Sequence, residues 1–437
     1  MSLVKKILLF LAVFSVSFDI FLVFKIGEAT VRFSNLAVLM LGIVVVFEKL
    51  LRRNFVLKYV KYPMVPLVLF TAVSFLSVIG SEWFLKSSIT AFYALFNLIF
   101  YVWLIAELVK NEKDALFLTK IYLGSFLFVA AFALVQFVLP FVGIRPPLAG
   151  AYLEFMSFVP RVNAFSYEPT NLATYLAPGL FLALFMAIKG SKLVNRWFLN
   201  VAVVVLFAAV VLSTARVGWL AAAISLVALI PPILRMIARG KIKIPAFRVC
   251  VSFFLIFLFV LPAFIYLKDD FLGLVKSAPS GVSATCRTQG AIYVFQVFKE
   301  NPILGVGVGG VGVYMNNRPQ EFILEKMCAN TSSIWSITTS TVAAEILAST
   351  GIIGFLIWLW LLWRIFKFAW DKKNNILISR DWRIIMEGLL WGFVVQIIVL
   401  QFNQNFFRNY VYLHIGMIVA IGGIFINNCR KHDHKKI

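Results

Sequence analysis

An all-α polytopic membrane protein with about twelve transmembrane helices is the fold class this sequence predicts. Three observations predict it. First, 62% of the 437 residues are hydrophobic and 14% charged, with a mean hydropathy of +0.93. A soluble globular chain carries about 25% charged residues and could not cover its surface with so few. Second, the apolar residues come in unbroken runs rather than in the alternation of a β-barrel strand. Third, lysine and arginine collect on one alternating side of those runs. Composition thereby excludes a cytosolic enzyme, a disordered chain and a disulfide-built scaffold.

Crossing the hydrocarbon core takes roughly 20 mostly apolar residues. The runs that satisfy this, two of them short and fitting a tilted or interfacial segment, are 5–24, 33–48, 64–80, 88–107, 117–141, 170–188, 197–213, 217–234, 248–267, 342–363, 384–400 and 410–427. The first follows Lys5 and Lys6, exceeds a signal-peptide core and lacks a small-residue cleavage site, so it is read as retained. Residues 1–437 then form a single integral membrane domain. Residues 268–341, between the ninth and tenth runs, are a long loop or lid containing short helices.

The net charge of +22 admits two meanings, nucleic-acid binding or membrane topology, and placement decides. The termini and the loops on their side hold 28 of the 41 lysines and arginines against 7 acidic residues; the opposite loops hold 13 against 9. That asymmetry follows the positive-inside rule, which puts both termini in the cytoplasm and loop 268–341 outside. The basic residues are spread over many short loops, so no nucleic-acid partner is expected. The external arginines are the exceptions to the bias: Arg32, Arg145, Arg161, Arg216, Arg287, Arg318 and Arg408.

Four segments carry chemistry. In the junction Ser213-Thr214-Ala215-Arg216 two apolar runs meet with almost no loop. Arg216 therefore sits near membrane depth, where it either meets an anion or snorkels to head groups. A guanidinium fork suits a phosphate. In 161–172, Arg161, Tyr167, Glu168 and Asn171 crowd the outer mouth of the sixth run, with Pro169 opening a helix. Glu168 is a candidate general base on a sugar hydroxyl, or a first-turn carboxylate offsetting a helix dipole. The external loop holds Arg287, Arg318 and the run Asn301-Pro302-Ile303-Leu304-Gly305-Val306-Gly307-Val308-Gly309-Gly310. Gly305-x-Gly307-x-x-Gly310 matches a dinucleotide fingerprint by letters only, with no βαβ unit around it; the glycines fit tight turns and close backbone approach. The re-entry from Ser340 through Glu345 to Gly351-Ile-Ile-Gly354 places Glu345 about one turn inside the membrane, as a functional group or an ion-pair partner.

Together these segments resemble the O-antigen ligase/polymerase superfamily, integral membrane glycosyltransferases that use polyprenyl-diphosphate-linked glycans. The resemblance lies in the ordered set Arg161…Glu168-Pro169, Ser213–Arg216, Arg287 leading to Asn301–Gly307, and Gly351–Gly354. It implies a GT-C-like arrangement, with Arg216 and Arg287 holding the lipid diphosphate; beside them Glu168, with Glu345 second, is the catalytic candidate for the acceptor hydroxyl. Arg161, Tyr167, Asn171, Arg318, Ser340, Glu345 and Arg408 are the candidates for substrate contact. It implies an undecaprenyl-diphosphate-linked glycan as substrate, membrane lipids around it, a chain-length regulator protein as a possible partner, and no cofactor or metal. In the ligases a histidine precedes the Gly-x-x-Gly turn. Here that region reads Thr339-Ser340-Thr341, and the only histidines are His414, His432 and His434. This departure favours a polymerase of the bacterial inner membrane over a ligase that acts on lipid A core or protein.

A transporter or flippase is the reading from a different class, since twelve spans is also a common transporter count. Against it, the polar features gather at the outer face, not the midplane, and no internal repeat is evident. No alternate-position carboxylate pair occurs outside, Asp269 and Asp270 being adjacent. Cys286 and Cys328 share the external loop, where they either form a disulfide or stay free.

Overall fold

The computed structural model describes residues 1–26, 29–51, 61–148, 154–155, 159–238, 292–318, 341–402 and 406–433. Their architecture is helical, with two short antiparallel hairpins as the only strands described. In chain order the elements are α1 (Leu3–Phe14), β1 (Val23–Ile26), β2 (Ala29–Arg32), α2 (Phe33–Leu51) and α3 (Lys61–Ser77). Next come α4 (Phe84–Leu108), α5 (Glu112–Val138), β3 (Glu154–Phe155), β4 (Val159–Pro160), α6 (Pro169–Lys189), α7 (Arg196–Leu212) and α8 (Arg216–Ala238). The rest are α9 (292–300), α10 (Val311–Asn316), α11 (Val342–Asn374), α12 (Arg380–Leu400) and α13 (Asn409–Asp433).

Seven of these helical segments are long and apolar enough to cross a membrane, and α7, α8 and α13 contain shorter apolar stretches. Their outward faces carry exposed Ile43, Phe47, Phe92, Trp197 and Leu356, as a lipid-facing surface requires. Helix α6 is the axis of the bundle, with 89% of its span buried. It starts at Pro169, whose fixed φ and missing N–H suit a first helical position, and ends at Gly190 in the left-handed region. Helix α12 packs along it, Gly388 and Gly392 lying close against the Leu182 and Pro178 backbones, the small-residue contact by which membrane helices associate. Local caps agree with the sequence: Asn111 accepts from the Asp114 N–H at the start of α5, and Asn195 from the Trp197 N–H at the start of α7.

Ion pairs sort the helix termini into two ends. At the first end the N-terminal amine meets Asp114, Lys5 meets Glu48, Lys49 meets Glu107, and Lys189 meets Glu387. At the second end Asp19 meets Arg32 and Arg408, and Glu82 meets Arg318. Helix directions alternate between them, as short connections between antiparallel neighbours require.

Two expected runs differ from what is seen. Run 5–24 is not one helix: α1 stops at Phe14, and after turns at 15–17 the chain enters a hairpin that pairs Val23 with Arg32. Further on, Leu22 has φ 53°, which keeps the helix from resuming. Run 342–363 is broken at Gly351, with φ 64° and ψ −169°. A short helix therefore precedes the break and the longer helix follows it. Run 248–267, most of loop 268–341, Cys286, Cys328, Asp269 and Asp270 lie outside the described residues.

Candidate active site at the second end of the bundle

Glu168 is mounted on a rigid loop. The Asn163 side chain donates to the Ser166 carbonyl (2.7 Å), and the Ala164 N–H donates to Gln136 Oε1 (2.7 Å). The Phe165 ring stacks on Phe18 and Phe132 at 4.5 and 4.4 Å. The Asp19 and Ile20 N–H groups both donate to the Phe165 carbonyl. Glu168 is then the N-cap residue of α6, its carbonyl accepting from the Asn171 and Leu172 N–H groups, but its carboxylate makes no capping hydrogen bond. The carboxylate is half-buried and stays near the positive end of the helix dipole. Tyr167 is 64% exposed and Asn171 is buried. Arg161, just beyond β4, is half-buried.

Arg216 is the first residue of α8, and its side chain is exposed. Only Ser213, Thr214 and Ala215 separate α7 from α8. The turn is closed by the Ser213 hydroxyl donating to the Val210 carbonyl (2.7 Å), and the Gly218 N–H to the Ala215 carbonyl (2.8 Å). Thr214 has φ 50°. The first turn of α8 abuts α6, where a Cβ on Gly218 would lie 3.2 Å from that of Ala173. The starts of α6 and α8, carrying Glu168 and Arg216, are thus neighbours at one end of the bundle.

The non-glycine residues with left-handed φ among the described residues are Leu22, Leu148, Ala164 and Thr214, and all are at this end. Such backbone costs about 1–3 kcal/mol each, and it concentrates at functional sites.

The glycine run 305–310 is a wedge, not a cradle. Its Val306 and Gly307 N–H groups donate to the Ala348 and Ser349 carbonyls (both 3.0 Å), and the Ile352 N–H donates to the Pro302 carbonyl (2.9 Å). Gly305 has φ 70°, and a Cβ there would strike the Ala348 carbonyl. The run is thereby seated in the break of α11. Arg318 is committed alongside it. Its guanidinium pairs with Glu82 (2.6 Å), donates to the Tyr314 carbonyl and covers the Tyr314 ring at 3.7 Å. Burial, and next the bond to Glu300, raise the Tyr314 phenol above its ordinary pKa, so it remains a donor to Glu300 (2.6 Å). Glu345 is half-buried in the first turn of α11, where Thr341 caps the helix through the Ala344 N–H (3.1 Å). Arg287 and Ser340 lie outside the described residues.

Arg408 joins a network around Asp19. Arg408 Nη1 donates to Asp19 Oδ2 (2.7 Å), and Arg32 Nε to Asp19 Oδ1 (2.8 Å). Arg32 Nη1 also donates to the Tyr93 hydroxyl (2.9 Å), which donates to Asn409 Oδ1. Sequence reasoning named Arg408 as a substrate contact and Arg32 as an external arginine, but did not join them through Asp19 and Tyr93. The available signal was Asp19 itself, an ionised group in an apolar run that demands a partner.

His414 is fully buried. A carbonyl only accepts, so Nε2 donates to the Leu389 carbonyl (2.9 Å) and Nδ1 accepts from the Tyr122 hydroxyl (2.7 Å). Both nitrogens are occupied by structure.

With this geometry in view, one comparison bears on the family. Residues 201–359 match the O-antigen ligase family. The matched segment contains the Ser213–Arg216 junction, the glycine wedge and the break at Gly351, and it supports the superfamily resemblance. The match covers a little over a third of the chain and supports a membrane enzyme of the O-antigen ligase/polymerase type. No curated protein matches the chain at a significant level.

Proposed function

We propose that the chain is a polysaccharide polymerase, a metal-independent inverting glycosyltransferase. It joins undecaprenyl-diphosphate-linked repeat units at the outer face of the bacterial inner membrane, its two termini in the cytoplasm. One observation carries this reading. Arg216 stands exposed at the N-terminus of α8, on a turn strained at Thr214, inside the segment matched to the family. A cation at the positive end of a helix is disfavoured by the macrodipole, whereas an anion placed there meets both the helix end and the guanidinium. A lipid diphosphate fits that position.

The chemistry needs little else. The acceptor hydroxyl oxygen attacks the anomeric carbon from the face opposite the diphosphate. The bond from that carbon to the diphosphate oxygen breaks, and the lipid diphosphate leaves with the electron pair. Arg216, with Arg287 by resemblance, stabilises the charge that develops on it. The hydroxyl proton passes to the Glu168 carboxylate, which no helix cap occupies; Glu345 is the second candidate. Arg161, Tyr167 and Asn171 stand around the same loop as glycan contacts.

The ligase reading is favoured by the description of the matched family. Against it stands the histidine inventory: three in the chain, with His414 locked between Tyr122 and Leu389 and the other two in the C-terminal tail. The test gives purified protein a lipid-diphosphate-linked repeat unit and resolves the products on a gel. A ladder is expected. A single transfer onto lipid A core or protein would replace the polymerase by the ligase, and net movement of lipid-linked glycan with no product would favour the transporter.

A further inference from the structure

We propose that Arg32, Asp19 and Arg408 form a second oxyanion site at this end of the bundle, apart from Arg216, that takes a phosphate or carboxylate carried by the substrate. The inference rests on the glycosyltransferase reading for what the ligand is, and on the geometry for where it binds.

The charge count comes first. The ion pairs of both guanidiniums go to Asp19 alone among the described residues, at 2.8 and 2.7 Å. All three side chains are largely buried, 16% exposed for each arginine and 6% for the aspartate. Among the described residues, one carboxylate against two guanidiniums leaves an excess positive charge where water is scarce, an arrangement that is costly unless another anion completes it.

The donor inventory points the same way. A guanidinium has five N–H donors, and Arg408 Nε is buried without a hydrogen-bond partner among the described residues. Nearly all buried polar groups are bonded, so an orphan donor beside an uncompensated charge is the signature of an absent acceptor. The planar fork favours a planar or tetrahedral oxyanion over a spherical one.

The cluster is also preorganised. The Arg32 backbone is fixed by its pairing with Val23 and its side chain by Tyr93 (2.9 Å). Asn409, next to Arg408, is held by Asn35 (2.5 Å) and Tyr101 (3.3 Å). The cluster is joined in space to the proposed chemistry: Asp19 and Ile20 donate to the carbonyl of Phe165, three residues before Glu168. An anionic group of the glycan or its carrier docked there would be held against the loop that bears the proposed base.

The test uses the full-length protein in detergent and reads binding by intrinsic tryptophan fluorescence. Three probes are titrated: undecaprenyl diphosphate without glycan, a soluble oligosaccharide bearing a carboxylate, and its neutral counterpart. For Arg408→Gln and Arg32→Gln the dissociation constant of one anionic probe is expected to rise about tenfold or more, the scale of losing a charge-assisted bond, with the neutral sugar unaffected. Loss confined to the lipid probe identifies the carrier as the source, and loss confined to the acidic sugar identifies the glycan. Wild-type affinities retained in both folded variants, or no anion binding by the wild type, would overturn the site. Should the glutamine variants not fold, Arg408→Lys keeps the charge on Asp19 and removes the fork; unchanged affinity there is equally fatal. The assay needs no turnover. A protein that binds oxyanion through Arg408 yet makes no polymer sinks the polymerase reading and leaves this site standing.

Discussion

The carbonyl oxygen of Ile303 occupies the space into which a side chain at Gly351 would project. This contact closes the wedge: the Ile352 N–H reaches back to the Pro302 carbonyl (2.9 Å), and Gly351 takes φ 64°, ψ −169°, a region essentially reserved for glycine. Gly351→Ala is therefore expected to lose about 1–3 kcal/mol from backbone strain alone, with the clash against Ile303 added. A lowered thermal midpoint in detergent and reduced accumulation in membranes would show it. Unchanged melting would mean that the wedge is not held as described.

Arg216→Ala should behave in the opposite way. Its side chain is exposed at the start of α8, and a cation there gains nothing from the helix dipole. Stability should stay within about 0.5 kcal/mol of the wild type, as for other surface substitutions, while chain elongation stops and single-repeat glycans accumulate on the lipid carrier. Polymer of normal length from this variant would remove Arg216 from the mechanism.

His414→Leu separates structure from chemistry. The substitution leaves the Tyr122 hydroxyl without its partner in the interior, at about 1–3 kcal/mol for an unsatisfied group, while the Leu389 carbonyl loses the second bond it accepts but keeps its place within α12. The thermal midpoint should fall, and turnover per folded molecule should not. A specific activity that collapses while the protein stays folded would return histidine to the reaction and strengthen the ligase reading.

Hydropathy located α2, α6, α12 and the start of α13 to within a few residues, because unbroken apolar runs of that length have few alternatives to a spanning helix. It failed where backbone conformation, not composition, ends a helix. Residues 15–24 are as apolar as α1, yet the left-handed Leu22 and the hairpin register of Val23 with Arg32 turn the chain away. The break at Gly351 likewise leaves no mark on hydropathy; only the Gly-x-x-Gly spelling hinted at it. Of the candidate site, the Ser213–Arg216 junction and the Glu168-Pro169 helix start were legible because each lies within a few residues of sequence. Asp19 was visible as a charge in an apolar run, but its partner Arg408 is 389 positions away, a pairing that no local pattern encodes. Arg318 was legible as an external arginine and a candidate substrate contact, but not its pairing with Glu82, from the turn between α3 and α4.

Glu168 and Glu345 compete for the role of base, and two conservative variants decide between them. Glu168 precedes the first turn of α6 with its carboxylate outside any cap, on a loop braced by Gln136, Asn163 and the Asp19 backbone. Glu345 sits in the short helix before the break in α11, with Lys86 within electrostatic range. A positioned general base contributes about 10²–10⁴-fold. Glu168→Gln is therefore expected to lower kcat by that factor with little change in KM, because the amide keeps the shape and a hydrogen-bond acceptor but cannot take the proton. Glu168→Asp should recover part of the rate. If Glu168 acts instead by accepting a hydrogen bond from the sugar, the glutamine variant raises KM and spares kcat. A kcat loss found in Glu345→Gln and absent from Glu168→Gln would move the base across the bundle to α11, and the pH–rate profiles of the two variants would then show which carboxylate the rate follows.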